Sequence, residues 1–109
     1  MNDLPANGRC PVEKTLDVIG GKWKPLIIYR LLDSTKRSGE LERSIPGVTR
    51  RMLTKHLREL EADGIVHREV YKQVPPKGEY SLTEKGHTLR PILDMMVDWG
   101  ITHDPVTSD

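Results

Sequence analysis

The sequence predicts a mainly α fold that carries one small β-hairpin. Apolar residues recur at helical spacing in successive stretches, each closed by Gly or Pro. Between residues 65 and 82 the pattern changes to β-branched residues and Tyr around a Pro-Pro-Lys-Gly turn. A length of 109 residues supports one domain with one modest core. Apolar residues make up 36% and Phe is absent, so Leu, Ile, Val and Met must build that core with a few Trp and Tyr.

Residues 1–8 and 105–109 are rich in Asn, Asp, Pro, Ser and Thr and read as loose ends around a single domain over 9–104. Val12, Leu16 and Ile19 predict a first helix over 11–19, with Pro11 tolerated at its start and Gly20-Gly21 at its end. A second helix is expected over 23–32, with Trp23, Leu26, Ile27 and Leu31 as its apolar stripe. Ser34-Thr35-Lys36-Arg37 reads as a polar connection, and Ser38 as the cap of a short helix reaching Ile45. Pro46-Gly47-Val48 is a turn. Thr49 is then a natural N-cap for a helix over 50–63, closed by Gly64, with Leu53, Leu57 and Leu60 inward. The hairpin follows, with strands over 65–74 and 79–82 and a stiff basic tip. Thr83 caps a last helix predicted to run unbroken over 84–102. Its apolar residues cover more than one stripe, which predicts burial against a second subunit.

A short helix, a Gly-containing turn and a longer helix is the helix-turn-helix arrangement, and the hairpin that follows is a wing. Charge agrees with that placement. The chain has a net charge of +1, but residues 20–58 hold ten Lys and Arg against three acids, a local +7. Arg50, Arg51, Thr54, Lys55 and Arg58 fall on one polar face of the 50–63 helix. Arg and Lys bond guanine edges or phosphates, and Thr bonds either. Thr49 at the helix start, and Lys77 and Gly78 in the wing, complete the candidate DNA-binding set. The other readings of these features are a solvated helix surface and a purely structural hairpin. At the level of function, a protein-interaction adaptor and a non-specific DNA binder compete with sequence-specific binding of double-stranded DNA.

Several blocks in order resemble one family. They are Cys10-Pro11, Ile19-Gly20-Gly21-Lys22-Trp23, Ile45-Pro46-Gly47-Val48, Met52-Leu53-Thr54, the run from Leu57 to Gly64, Val66-x-Arg68-x-Val70-Tyr71, Val74-Pro75-Pro76 and Glu79-Tyr80-Ser81-Leu82-Thr83. Together they are similar to the HxlR-type winged helix-turn-helix transcriptional regulators, which are related to the MarR type. The resemblance spans roughly residues 9–102. It implies a homodimer on pseudo-palindromic operator DNA, with the terminal helices forming the dimer interface. The chain departs from the pattern at Ser38-Gly39, where the family usually has Phe and a polar residue.

Cys10 resembles the family's N-terminal cysteine, which in several members senses oxidants or electrophiles. It is the single cysteine, so an intrachain disulfide framework and a multi-cysteine zinc site are excluded. Arg9 and Lys14 flank it at a helix start, a setting that favours a reactive thiolate. The alternative is a small interface residue with no sensing role. His56, His67, His87 and His103 lack ligand-type spacing, so no metal is expected, although His56 lies on the basic helix. No nucleophile–base pair, phosphate-cradling loop or cofactor fingerprint is visible, and neither enzyme activity nor a cofactor is expected. No apolar run approaches the ~20 residues of a membrane span and no charged-then-apolar leader opens the chain. The expected location is the cytoplasm.

Overall fold

A computed structural model of the chain describes residues 8–72 and 77–104. Helix α1 (Pro11–Ile19) ends at Gly20-Gly21, and Gly21 takes the left-handed φ of 79° that reverses the chain into α2 (Trp23–Leu31). Strand β1 (Lys36–Arg37) leads into α3 (Ser38–Ser44), and the Pro46-Gly47 turn leads into α4 (Arg50–Ala62). Strands β2 (Val66–Tyr71) and β3 (Lys77–Leu82) follow, then α5 (Glu84–His87) and α6 (Arg90–His103). Among the described residues the sheet has three antiparallel strands in the order β1-β3-β2. No helix there is long and apolar enough to cross a membrane.

The core lies where α2, α3 and α4 meet the inner face of the sheet. Ile27, Ile28, Leu31, Leu41, Ile45, Leu53, Leu57, Leu60, Ile65 and Val66 are almost wholly removed from water. Leu82, Leu89 and Leu93 close it from the C-terminal side. Truncating Leu57 or Leu60 would leave a cavity in the middle of this cluster, typically at a cost of ~2–5 kcal/mol.

Four expectations are corrected here. The supposed connection at 34–37 contains a strand, because Lys36 and Arg37 pair with Tyr80 and Glu79 of β3. Two residues are too short for a period-2 signal, so only the partner strand reveals them. Ser38 is the first residue of α3 and not its cap. The Arg37 N–H donates instead to Glu40 Oε1 at 2.8 Å, half of a capping box. Leu26 is exposed and Ile28 takes its place in the core. The last helix is broken, and α5 and α6 meet at Thr88-Leu89. Pro91 at the start of α6 has no N–H to give His87 and its ring crowds that carbonyl, so a continuous helix fails there.

Two locks hold α4 in place. Its C-terminus is a Schellman motif: Gly64 has φ 75°, its N–H donates to the Glu61 carbonyl, and the Ile65 N–H donates to the Leu60 carbonyl. The Thr83 hydroxyl donates to the Gly64 carbonyl at 2.6 Å and accepts from the Gly86 N–H at 3.0 Å. One side chain thus caps α5 and ties the end of the wing to the end of α4. A Cβ at Gly86 would overlap the Ile65 carbonyl oxygen, which explains glycine there.

The second lock is electrostatic. Lys24 Nζ of α2, only 13% exposed, meets Glu59 Oε1 of α4 at 2.9 Å. The hydrogen bond from Lys24 lowers the Glu59 pKa below the usual carboxylate value. A depressed folded pKa contributes stability above the ordinary carboxylate range, and the contribution is lost as pH falls through the lowered value. Glu59→Gln should therefore lower stability at neutral pH and flatten the acid limb of a plot of melting temperature against pH. An acid limb identical to wild type would show that the pair does not hold α4 against α2.

Candidate nucleic-acid interface

The site is built on α4, the second helix of the helix-turn-helix. Gly47 has φ 90°, which lets the chain reverse between α3 and α4, and the Trp23 ring packs 3.5 Å from where its Cβ would stand. Thr49 caps α4: its Oγ1 accepts the Met52 N–H at 3.1 Å. Leu53, Leu57 and Leu60 bury one face of α4. The helical period therefore turns Arg51, Lys55 and Arg58 outward, and all three are exposed. With Met52 and Thr54 they line one open depression along the helix.

The cations of this face are not equivalent. Arg50 Nε donates to Glu42 Oε1 at 3.1 Å, so it braces α4 against α3 across the turn. Arg51, Lys55 and Arg58 have no acidic partner within 4 Å among the described residues. Some cations elsewhere are engaged: Arg37 with Glu79, Arg90 with Asp33 and the Leu32 carbonyl, and Lys24 with Glu59. An unneutralised row on a helix anchored by its opposite face is what a polyanion meets first. His56, also on α4, lies against Glu59 at 3.6 Å and faces the Lys24 contact rather than the outward row.

The wing residues are placed differently from the expectation. Lys77 and Gly78 belong to β3, where they pair with Tyr71 and Val70, and do not form a hairpin tip. Residues 73–76, which hold the expected Pro-Pro turn and the end of the first strand, lie outside the described residues. So do the ends over 1–7 and 105–109. Tyr71 of β2 donates to Glu79 Oε1 of β3 at 2.9 Å and joins the two strands. That bond raises the Tyr71 pKa above its ordinary value. Gly78 does not line the α4 depression.

Sequence reasoning missed Arg68. It lies on β2 opposite Tyr80 and shares a cleft with Arg50, Thr54 and Arg58 of α4. The signal was present in the strand period. Arg68 is two residues from Val66 and shares its face of the sheet, with its side chain exposed at the edge of the core.

Cys10 is the N-cap residue of α1 and half-buried. Its N–H donates to Glu13 Oε1 at 3.1 Å, and Arg9 pairs with Asp17 at 2.7 Å. The helix start thus carries carboxylates as well as the expected cations. Among the described residues no group of His, Cys, Asp and Glu is arranged to hold a metal ion.

The sequence pattern of the HxlR-like helix-turn-helix family matches residues 18–107, which is most of the chain. The chain belongs to that family. Curated relatives agree. A Bacillus subtilis protein described as the uncharacterized HTH-type transcriptional regulator YybR is 63% identical over 99 residues, 91% of this chain and 79% of its own. YdeP of the same organism, described in the same terms, is 63% identical over 91 residues, 84% of this chain and 71% of its own. Among solved structures, the redox regulator HypR in its oxidized form superposes with a TM-score of 0.85 at 63% identity, covering 89% of this chain and all of that one. This HxlR-like protein is therefore a winged helix-turn-helix transcriptional regulator.

Proposed function

We propose that this HxlR-like regulator is one domain over 9–104 that acts as a homodimer on an inverted-repeat operator. The outward row of α4 carries the reading: Arg51, Lys55 and Arg58 have no acidic partner within 4 Å among the described residues and stand on the second helix of the helix-turn-helix. In this reading Arg51, Thr54 and Lys55 meet base edges in the major groove. Thr49, Arg50, Arg58, Lys77 and Gly78 lie along the backbone or support the helix. Two such helices in successive major grooves stand ~34 Å apart. Selection of binding sites from random duplex DNA should return an inverted repeat with that spacing. Enrichment of a single unrepeated half-site, or of no sequence at all, would contradict it.

Cys10 is the proposed control point. A structural relative at 63% identity is described as a redox regulator and is solved in oxidized and reduced forms. Cys10 begins α1, whose exposed Val12 and Leu16 belong to the proposed dimer face. This sequence offers no second cysteine, so Cys10 can bridge to Cys10 of a second protomer, form a mixed disulfide with a small thiol or be alkylated, the last two read as a mass shift. Two Cys10 thiols would lose two protons and two electrons to diamide, which becomes the hydrazine, as the S–S bond forms. The covalent dimer should appear on a non-reducing gel, and operator affinity should change in wild type but not in Cys10→Ser. Cross-linking without any change in affinity would make Cys10 structural.

A further inference from the structure

The inner face of the wing holds a feature that the α4 row does not account for. Val66 and Leu82 pair across β2 and β3, and both are buried. One step along the same face, Arg68 pairs with Tyr80, which packs on the core. An arginine therefore occupies an apolar phase of the strand. Its guanidinium Nε lies 3.7 Å from where a Cβ would stand on Gly78, an ordinary contact distance.

Arg68 and α4 enclose a cleft of about 280 Å³. Its walls carry three arginines (Arg50, Arg58 and Arg68), the hydroxyls of Thr54 and Tyr80, and a single carboxylate, Glu61. Arg50 is bound to Glu42. Neither Arg58 nor Arg68 has an acidic partner within 4 Å among the described residues. Two unneutralised guanidinium groups on one cleft repel each other, and an oxyanion between them removes that repulsion. Guanidinium forks suit the tetrahedral oxygens of a phosphate better than any other surface cation does.

We propose that Arg58 and Arg68 together clamp one DNA backbone phosphate, with the Tyr80 hydroxyl beside it. The clamp joins the groove helix to the body of the wing and so fixes how far α4 rotates in the groove. The proposal rests on the reading of α4 as the DNA-binding helix.

The test is a salt titration of operator binding for wild type, Arg58→Gln, Arg68→Gln and the double variant, with Arg51→Ala as a reference. A neutralised phosphate contributes ~0.9 to the slope of log affinity against log salt, roughly eightfold in affinity at 0.1 M salt. Each single variant should lose about that much per protomer, alike on operator and random DNA. Because both side chains share one phosphate, the double variant should lose hardly more than either single one. Arg68→Lys should keep most of the slope. Wild-type affinity and slope in Arg68→Gln, with Arg51→Ala impaired, would overturn the clamp and leave the DNA-binding reading standing. Absence of salt-dependent binding in wild type would remove both. A drop in melting temperature in Arg68→Gln that Arg68→Lys does not reverse would make Arg68 structural. Inorganic phosphate is the last arm. If it raises the melting temperature of wild type but not of Arg68→Gln, while DNA slopes are unchanged, the cleft takes a free anion and the clamp is wrong.

Discussion

Replacing Arg51 and Lys55 together by alanine is expected to lower operator affinity by roughly a hundredfold or more and to relax sequence preference. Side chains that read bases typically contribute ~1–3 kcal/mol each. Both stand on the exposed side of α4, four residues apart, and neither has an acidic partner within 4 Å among the described residues. The helix behind them is held by Leu53, Leu57 and Leu60, so neither substitution disturbs the core. The melting temperature should accordingly stay close to wild type. Arg50→Ala is the informative contrast. Its guanidinium belongs to Glu42, so its loss should loosen α3 from α4 and weaken operator and random DNA alike. A fluorescence anisotropy titration of all three proteins on operator and scrambled duplex separates these effects. Wild-type affinity in the Arg51/Lys55 variant would mean that another surface holds the DNA.

The contrast between Arg50 and Arg51 shows where sequence reasoning stops. Spacing put both on one polar face, and both are exposed. What separates them is Glu42, eight residues away across a turn, and no periodicity reports a contact set by turn geometry. Local chemistry was legible. Thr49 does cap α4, Gly64 does end it, and Thr83 does cap the helix that follows the wing. Each of those depends on one residue's conformational preference and its immediate neighbours.

Features that depend on a distant partner were not legible. Strand β1 exists because β3 has a second edge, at Glu79 and Tyr80, for Lys36 and Arg37 to pair with. Arg68 looked like an ordinary polar position in a half-exposed strand. Its two-residue spacing from Val66 points to a shared face, and the register with Tyr80 and Leu82 shows which way that face turns. The break before α6 could have been read, since Pro91 lies well inside the predicted helix. The strong apolar content of 89–99 outweighed it. Leu26 was misassigned for a related reason: α2 is apolar on several sides, so the helical period alone does not single out the stripe that faces α4.

Breaking the apolar face of α6 should convert the protein from dimer to monomer and cost roughly a hundredfold to ten-thousandfold in operator affinity. Ile92, Met95, Met96 and Trp99 follow the i, i+3, i+4, i+7 pattern of a buried helix stripe. Met95 is nonetheless 71% exposed and Trp99 67% exposed in the single chain. Only Leu93 of α6 reaches the core. On α1, Val12 and Leu16 are similarly open, at 63% and 55%. Both helices pack on α2. Trp99 is already ordered by stacking on His103 at 4.6 Å, which reduces what it must lose on association. Such a face on a small domain is what the proposed homodimer would bury. The Met95→Glu/Trp99→Glu variant places two charges there without touching the core, so the winged helix should keep its fold. Sedimentation should then report a monomer where wild type is a dimer at micromolar concentration. The loss of affinity follows from linkage: once one α4 is bound, the second binds at an effective concentration set by the dimer, and a monomer forfeits it. The monomer should still bind a half-site with a salt slope near half that of wild type. A variant that remains a dimer would place the interface elsewhere. A wild type that sediments as a monomer, yet selects an inverted repeat, would mean that the DNA itself assembles the pair.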